Sequence, residues 1–169
     1  RIQSPRMAHS AGSLVAKWHV ALDDLEHVFA FKRTGVHDTT RHFQKLEACL
    51  SSSQNHRLFQ EVEPWAHRAL EAWASWGGRM DKPLRICHGD LKLSNIRFGN
   101  EENALALIDL DTMGYLTLDE ELGDAWRSWC NSGTEDQLGG TFNLEIFEAS
   151  LRGYCQAKTM PAEACDGLE

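Results

Sequence analysis

Two short stretches constrain this chain more than anything else in it. They are His88-Gly89-Asp90-Leu91-Lys92-Leu93-Ser94-Asn95 and, after an apolar run, Ile108-Asp109-Leu110-Asp111. Leu84-Arg85-Ile86-Cys87 leads into the first and reads as a short strand. Asn95-Ile96-Arg97-Phe98 and Ala104-Leu105-Ala106-Leu107-Ile108 flank the polar segment Gly99-Asn100-Glu101-Glu102-Asn103. That pattern predicts a hairpin with a turn of about five residues. A hairpin there returns Asp109 to the neighbourhood of Asn95. The fold then has to gather an Asp, an Asn five residues on and a second Asp around one small β element.

An Asp–Asn–Asp set at this spacing suits magnesium-assisted phosphoryl transfer. The transition state of that reaction needs little covalent help. It needs a carboxylate facing the attacking hydroxyl, and oxygen ligands that hold the metal on the phosphates. Asp90 can be the carboxylate, accepting or orienting the hydroxyl proton. Asn95 and Asp109 can hold the metal, because magnesium prefers hard oxygen donors and takes only one or two of them from protein. Each residue also has a bland reading: Asp90 as a turn cap, Asn95 as a turn or bulge residue, Asp109 as a strand-ending Asp bound to backbone amides. The joint spacing favours the functional reading over three coincidences. Asp111 lies two residues past Asp109 and faces the same side if the segment is extended.

His-Gly-Asp-x-x-x-x-Asn followed by Ile-Asp resembles the aminoglycoside phosphotransferase and choline kinase superfamily of small-molecule kinases, which has a protein-kinase-like fold. Within it, Lys92, Asn95 and the run Ile108-Asp109-Leu110-Asp111-Thr112 are most similar to the N-acetylhexosamine 1-kinase branch, as is Gly35-Val36-His37-Asp38-Thr39. The resemblance covers about Ala11 to Tyr154 and is strongest at the two motifs. It implies ATP as co-substrate, Mg2+, and a small hydroxyl acceptor. An amino sugar or related sugar comes first; an aminoglycoside, choline or homoserine is the alternative. It places the metal role on Asp109 and leaves Asp111 in support. Lys92 has the offset of a phosphate-neutralising lysine in many protein kinases, which implies a catalytic and nucleotide-binding role, although some aminoglycoside kinases have no lysine there. Asp124, in Gly123-Asp124, would hydrogen-bond the catalytic-loop backbone. The bland readings are a solvated loop lysine and a helix-surface Asp. His88 is read as a scaffold residue that bonds backbone near Asp109.

The rest of the chain reads mostly helical. Ser4-Pro5 starts a helix that Ala11, Leu14, Val15, Trp18, Leu22, Leu25 and Phe29 carry to about Phe31. Asp38 or Thr39 caps a second helix with Phe43, Leu46 and Leu50 on one face. A third carries Leu58, Val62, Trp65, Ala69, Leu70, Trp73 and Trp76 to a stop at Gly77-Gly78, with its tryptophans read as core. Leu118 to Trp129 is a helix with Trp126 and Trp129 in the core. Ser132 to Gly140 is a polar loop. Phe142, Ile146, Phe147, Leu151 and Tyr154 mark a last long helix, and Met160-Pro161-Ala162-Glu163 hints at another. The expected fold class is α+β, predominantly α. Residues 1–169 would form the large C-terminal lobe of a protein-kinase-like fold, with the hairpin carrying the site, the catalytic loop at 88–95 and the metal segment at 108–112. No glycine-rich loop, strand lysine or partnering helix glutamate precedes the motif. The N-terminal nucleotide-binding lobe is therefore expected to be absent. The isolated chain is expected to be inactive and prone to self-association through an uncovered cleft face.

At 169 residues the expectation is one domain. The net charge of −8 argues against broad nucleic-acid binding and suits no anionic membrane. No apolar run reaches transmembrane length and no signal peptide opens the chain, which points to a cytoplasmic protein. Cys49, Cys87, Cys130, Cys155 and Cys165 are scattered without Cys-x-x-Cys spacing and read as free thiols in a reducing cytoplasm. The histidines show no paired metal spacing and read mostly as surface or helix-flank residues. Two other function classes compete: a kinase-like lobe kept as an interaction module, and a metal-dependent hydrolase using Asp90, Asp109 and Asp111. The intact Asp90, Asn95 and Asp109 argue against the first. The Asn95 spacing and the lack of histidine ligands argue against the second.

Overall fold

A computed structural model describes residues 2–31, 38–76, 82–133 and 140–158. The expectations for Gly35-Val36-His37, for Gly77-Gly78, for most of the 132–140 loop and for Met160-Pro161-Ala162-Glu163 lie outside the described residues. The chain divides into two compact units. The larger, Arg1–Phe31 with Pro83–Glu169, carries α1 (Pro5–Ala21), β1 (Leu84–Cys87), β2 (Ile96–Phe98), β3 (Ala104–Leu107), β4 (Gly114–Thr117), α4 (Leu118–Trp129) and α5 (Leu144–Lys158). The smaller, Lys32–Lys82, carries α2 (Thr39–Ser52) and α3 (Phe59–Ser75).

α1 begins as its sequence demands. Pro5 sits in the first turn, where its missing N–H costs nothing, and the Ser4 hydroxyl accepts the Met7 N–H at 3.1 Å. The same hydroxyl donates to Glu102 at 2.6 Å, so the cap also ties α1 to the β2–β3 turn. The helix ends at Ala21, ten residues before the expected Phe31. The exposed carbonyls of its last turn find a partner elsewhere: the Arg85 guanidinium donates to the His19 carbonyl at 2.7 Å and to the Asp23 carboxylate at 3.2 Å. Beyond that cap the chain runs outside a helix. The Tyr115 hydroxyl donates to the His27 carbonyl at 2.9 Å, and Phe29 meets the Tyr115 ring edge-on. The apolar residue at Phe29 thus answers a tertiary contact, and Leu25 is exposed, so neither marks a helical face.

α1 and α5 pack almost backbone to backbone. A Cβ on Gly12 would lie 2.0 Å from the Ser150 carbonyl oxygen, and one on Gly153 would lie 2.1 Å from that of His9. Gly12→Ala is accordingly expected to destabilise the chain by about 1–3 kcal/mol through overpacking. The check is a urea melt, where the midpoint falls and the slope is unchanged. An unmoved midpoint would mean that the helices part at no cost. The core around this contact takes in Val15, Leu91, Leu122, Trp129 and Tyr154, and Trp126 and Trp129 are buried as expected.

β1 pairs antiparallel with β4, with Leu84 opposite Thr117 and Cys87 opposite Gly114. β2 pairs antiparallel with β3, with Ile96 opposite Leu107, across the anticipated Gly99–Asn103 turn. β4 was not anticipated; four residues wedged between a polar turn and a helix are too few to show alternation. α4 has the expected bounds, opened by a capping box in which Thr117 and Glu120 satisfy each other's backbone N–H.

In the smaller unit Asp38 caps α2, accepting the Arg41 N–H at 3.0 Å. Phe43 stacks on Trp73 with ring centroids 4.8 Å apart. Trp65 and Trp76, expected in the core, are 68% and 49% exposed, and Ala66 is the one residue of α3 that is buried. The apolar stripe of α3 is wider than the face α2 shares with it.

Cys49, Cys87 and Cys130 are free thiols, as expected, but Cys155 is in a disulfide. That bond depends on two Cβ atoms meeting in space, which sequence spacing does not show. Among the described residues, no helix is long and apolar enough to cross a membrane.

Candidate active site

β1 delivers the chain to His88, and β4 carries it away from the 108–112 segment, so both ends of the site hang from one strand pair. The two ends are also bonded directly. The Thr112 hydroxyl donates to the His88 carbonyl at 2.8 Å. His88 Nε2 lies 2.9 Å from the Ile108 carbonyl, the scaffold contact expected of it. Gly89 fits between them with φ +79°, where a Cβ would come within 2.5 Å of the Thr112 carbonyl oxygen. A side chain at that φ and so close to the Thr112 backbone would be strained.

Asp90 is partly buried and well occupied on one side. Lys92 Nζ donates to its Oδ2, and Asn95 Nδ2 donates to Oδ2 at 3.1 Å and to the Asp90 carbonyl at 2.9 Å. Among the described residues nothing bonds Oδ1, so one carboxylate oxygen keeps its acceptor capacity. Asn95 is buried, with 3% exposure. Its amide nitrogen is committed to Asp90, so the end of the amide left for a cation is the carbonyl oxygen Oδ1. The Ser94 hydroxyl lies 3.4 Å from it.

The hairpin performs the return that its sequence promised. The Ile108 N–H donates to the Asn95 carbonyl at 2.9 Å, so Asp109 emerges one residue past a direct pairing with Asn95. Asp109 has φ +67° and ψ +60°. This left-handed conformation costs most side chains free energy, and Asp is among the few that tolerate it. The hydrogen bond to Asp90 holds the Lys92 amine above the ordinary lysine range, and the charges of Asp90, Asp109 and Asp111 add to that. One ammonium among three carboxylates stays charged, and the cluster keeps an excess of negative charge suited to a hard divalent cation.

The loop backbone is held from α4, but not by Asp124. Glu121 Oε1 accepts the His88 N–H at 2.8 Å and Oε2 accepts the Gly89 N–H at 2.9 Å. Below it, the Ser128 hydroxyl accepts the Leu93 N–H at 3.2 Å, and the Trp129 indole donates to the Leu91 carbonyl at 2.7 Å. Asp124 instead pairs with Arg127 at 3.1 Å. Glu121, Ala125 and Trp129 lie one above another along the inner stripe of α4, and Asp124 sits to its side. A carboxylate at the head of a buried helical stripe was the available signal. Burial pushes the Glu121 carboxyl up, but hydrogen bonds from His19, Gly89 and His88 outweigh it and leave the group below the usual carboxylate range. His19, beside it, is held below the ordinary histidine value by burial.

A model of the phosphotransferase enzyme family matches residues 2–156. The chain belongs to that family. Its fold is also similar to the crystal structure of an aminoglycoside-3'-phosphotransferase of type VIII, with a TM-score of 0.51 and 20% sequence identity. That match covers 96% of this chain and 58% of the other, so the chain spans little more than half the length of the phosphotransferase it matches. The architecture is the expected one: an α-rich α+β lobe of a kinase-like fold, with small antiparallel strand pairs around the site.

Proposed function

We propose that this chain is the large, C-terminal lobe of an ATP- and magnesium-dependent small-molecule kinase, which in the complete protein works with an N-terminal nucleotide-binding lobe. The observation that carries the reading is the clasp of Asn95 on Asp90 together with the Asn95–Ile108 backbone pairing, one residue before Asp109. Asp90 is the base that orients the acceptor hydroxyl through Oδ1. Lys92 meets charge on the transferred phosphoryl group and stays protonated to do so. Asn95 Oδ1 and the Asp109 carboxylate would hold Mg2+, which when bound neutralises phosphate charge. Leu84, Leu105 and Leu110 are each large, apolar and exposed, which is compatible with cover by further protein and, in the isolated chain, with self-association.

The acceptor is an amino sugar or related sugar, supported by the likeness of Ile108-Asp109-Leu110-Asp111-Thr112 to the N-acetylhexosamine 1-kinase branch. The family also accommodates aminoglycosides, choline and homoserine. The test is γ-phosphoryl transfer from ATP by the complete protein to a panel of these four acceptor classes. Amino sugars are expected to give the highest kcat/KM. Preference for another class corrects the acceptor, and transfer to none of them rejects the kinase reading.

A further inference from the structure

Among the described residues, a deeply buried titratable cluster lies next to the catalytic loop. His19 of α1, Glu121 of α4 and Tyr154 of α5 are each at most 2% exposed. His19 Nδ1 is 2.8 Å from the Tyr154 hydroxyl, and Nε2 is 3.4 Å from Glu121 Oε1. Glu121 in turn accepts the N–H groups of His88 and Gly89. A continuous chain of hydrogen bonds from three helices therefore ends on the peptide groups just before Asp90. We propose that His19 and Tyr154 are positioning residues for the catalytic loop, acting through Glu121. Their catalytic consequence rests on the kinase reading above.

The logic is one of tautomers. A neutral imidazole carries one proton. When the Tyr154 hydroxyl donates to Nδ1, that proton stays on Nε2 and points at Glu121. The carboxylate then has three donors, two from the loop and one from His19, and its side chain loses the freedom to swing. Gly89 has no side chain of its own to fix the turn before Asp90, so this carboxylate, which holds two successive peptide N–H groups there, joins Thr112 and Ile108 in setting the orientation of the loop. The charged and titratable neighbours are Arg85 and Cys87 of β1, Lys158 of α5, Glu120 of α4, and Asp23 after α1. Ligand atoms of His19, Cys87 and Glu121 lie within 4.8 Å of one another. Yet both Glu121 oxygens are engaged by peptide N–H groups, and burial keeps the Cys87 thiol protonated, so the cluster favours a hydrogen-bond relay over a metal site. Misplacing a reacting group by about 1 Å can cost about 10²-fold in rate.

The test pairs a structural readout on this chain with turnover of the complete protein. Three variants are compared: His19→Leu, Tyr154→Phe and His19→Gln, the last of which keeps an N–H donor near the place of Nε2. In the ¹H–¹⁵N spectrum the His88 and Gly89 amide resonances are expected to shift in His19→Leu and Tyr154→Phe and to return toward their original positions in His19→Gln. Turnover is expected to fall about tenfold in His19→Leu, with nucleotide KM unchanged, and to recover in His19→Gln. Amides that stay put in folded variants overturn the proposal. So does His19→Gln losing as much as His19→Leu, or a stoichiometric metal in the purified chain that His19→Leu removes. If His19→Leu does not fold, Tyr154→Phe carries the same test by deleting a single hydroxyl. A complete protein without phosphotransferase activity would sink the kinase reading alone, since the amide shifts still report on the relay.

Discussion

Asp90→Asn is expected to lower turnover of the complete protein by about 10²–10⁴-fold while leaving nucleotide affinity nearly unchanged. The substitution is close to isosteric. Oδ2 of Asp90 accepts from Lys92 and Asn95, and an asparagine that turns its carbonyl oxygen to that side keeps both bonds. The other end of the side chain then presents an amide N–H where Oδ1 stood. A donor there cannot take a hydroxyl proton and repels the hydroxyl hydrogen it should orient. The negative charge of the site also falls by one, which weakens the retained Lys92 bond and leaves the ammonium readier for phosphate. Ground-state binding of nucleotide therefore has little reason to weaken. The measurement is steady-state kinetics at saturating acceptor alongside a direct nucleotide titration. Turnover within a factor of a few of the unaltered protein would place the base elsewhere.

The parts of this site legible in the sequence were those written in local chemistry. The turn Gly99–Asn103 between two apolar runs reads as a hairpin, and a hairpin there returns Asp109 to the neighbourhood of Asn95. The Asn95–Ile108 hydrogen bond is that inference realised. α4 was legible to the residue because its apolar stripe starts and stops cleanly between Thr117 and Cys130. His88 as a scaffold group was also legible, and its bond to Ile108 is in place.

What stayed hidden depends on which surfaces meet. The end of α1 is fixed by Arg85, a residue far away in sequence, and no local signal at Ala21 announces it. His19 looked like a helix-flank histidine, although it continues the stripe Ala8, Ala11, Val15 that α5 covers. A polar residue at a core position is a stronger clue than a free-standing one, because burial obliges it to find partners. Glu121 was hidden by the same habit: a carboxylate near a helix N-terminus is ordinarily explained by the helix dipole. Only the approach of the loop after β1 shows that its oxygens are filled by the His88 and Gly89 N–H groups instead. The tryptophans of α3 failed in the opposite direction. Their spacing is that of a buried face, but α2 alone cannot cover it.

Asp109→Asn is expected to be as damaging as Asp90→Asn at low magnesium and to differ in how it fails. Asparagine tolerates the left-handed backbone at this position about as well as aspartate does, so the change isolates the charge and leaves the φ of +67° in place. Alanine would confound the two. A neutral carbonyl oxygen is a weaker partner for Mg2+ than a carboxylate, so the metal–nucleotide complex binds less tightly and turnover falls by about 10²-fold or more at limiting metal. Because the loss lies in occupancy, raising magnesium should restore part of it. Asp90→Asn has lost a proton acceptor, which no concentration of metal supplies. Initial rates against free magnesium for the two variants side by side separate the roles. Rescue of Asp90→Asn by magnesium with none for Asp109→Asn would mean that base and ligand are exchanged. Full activity in both would move the chemistry away from the hairpin altogether, and the resemblance of its two motifs to a kinase site would then be one of sequence and not of function.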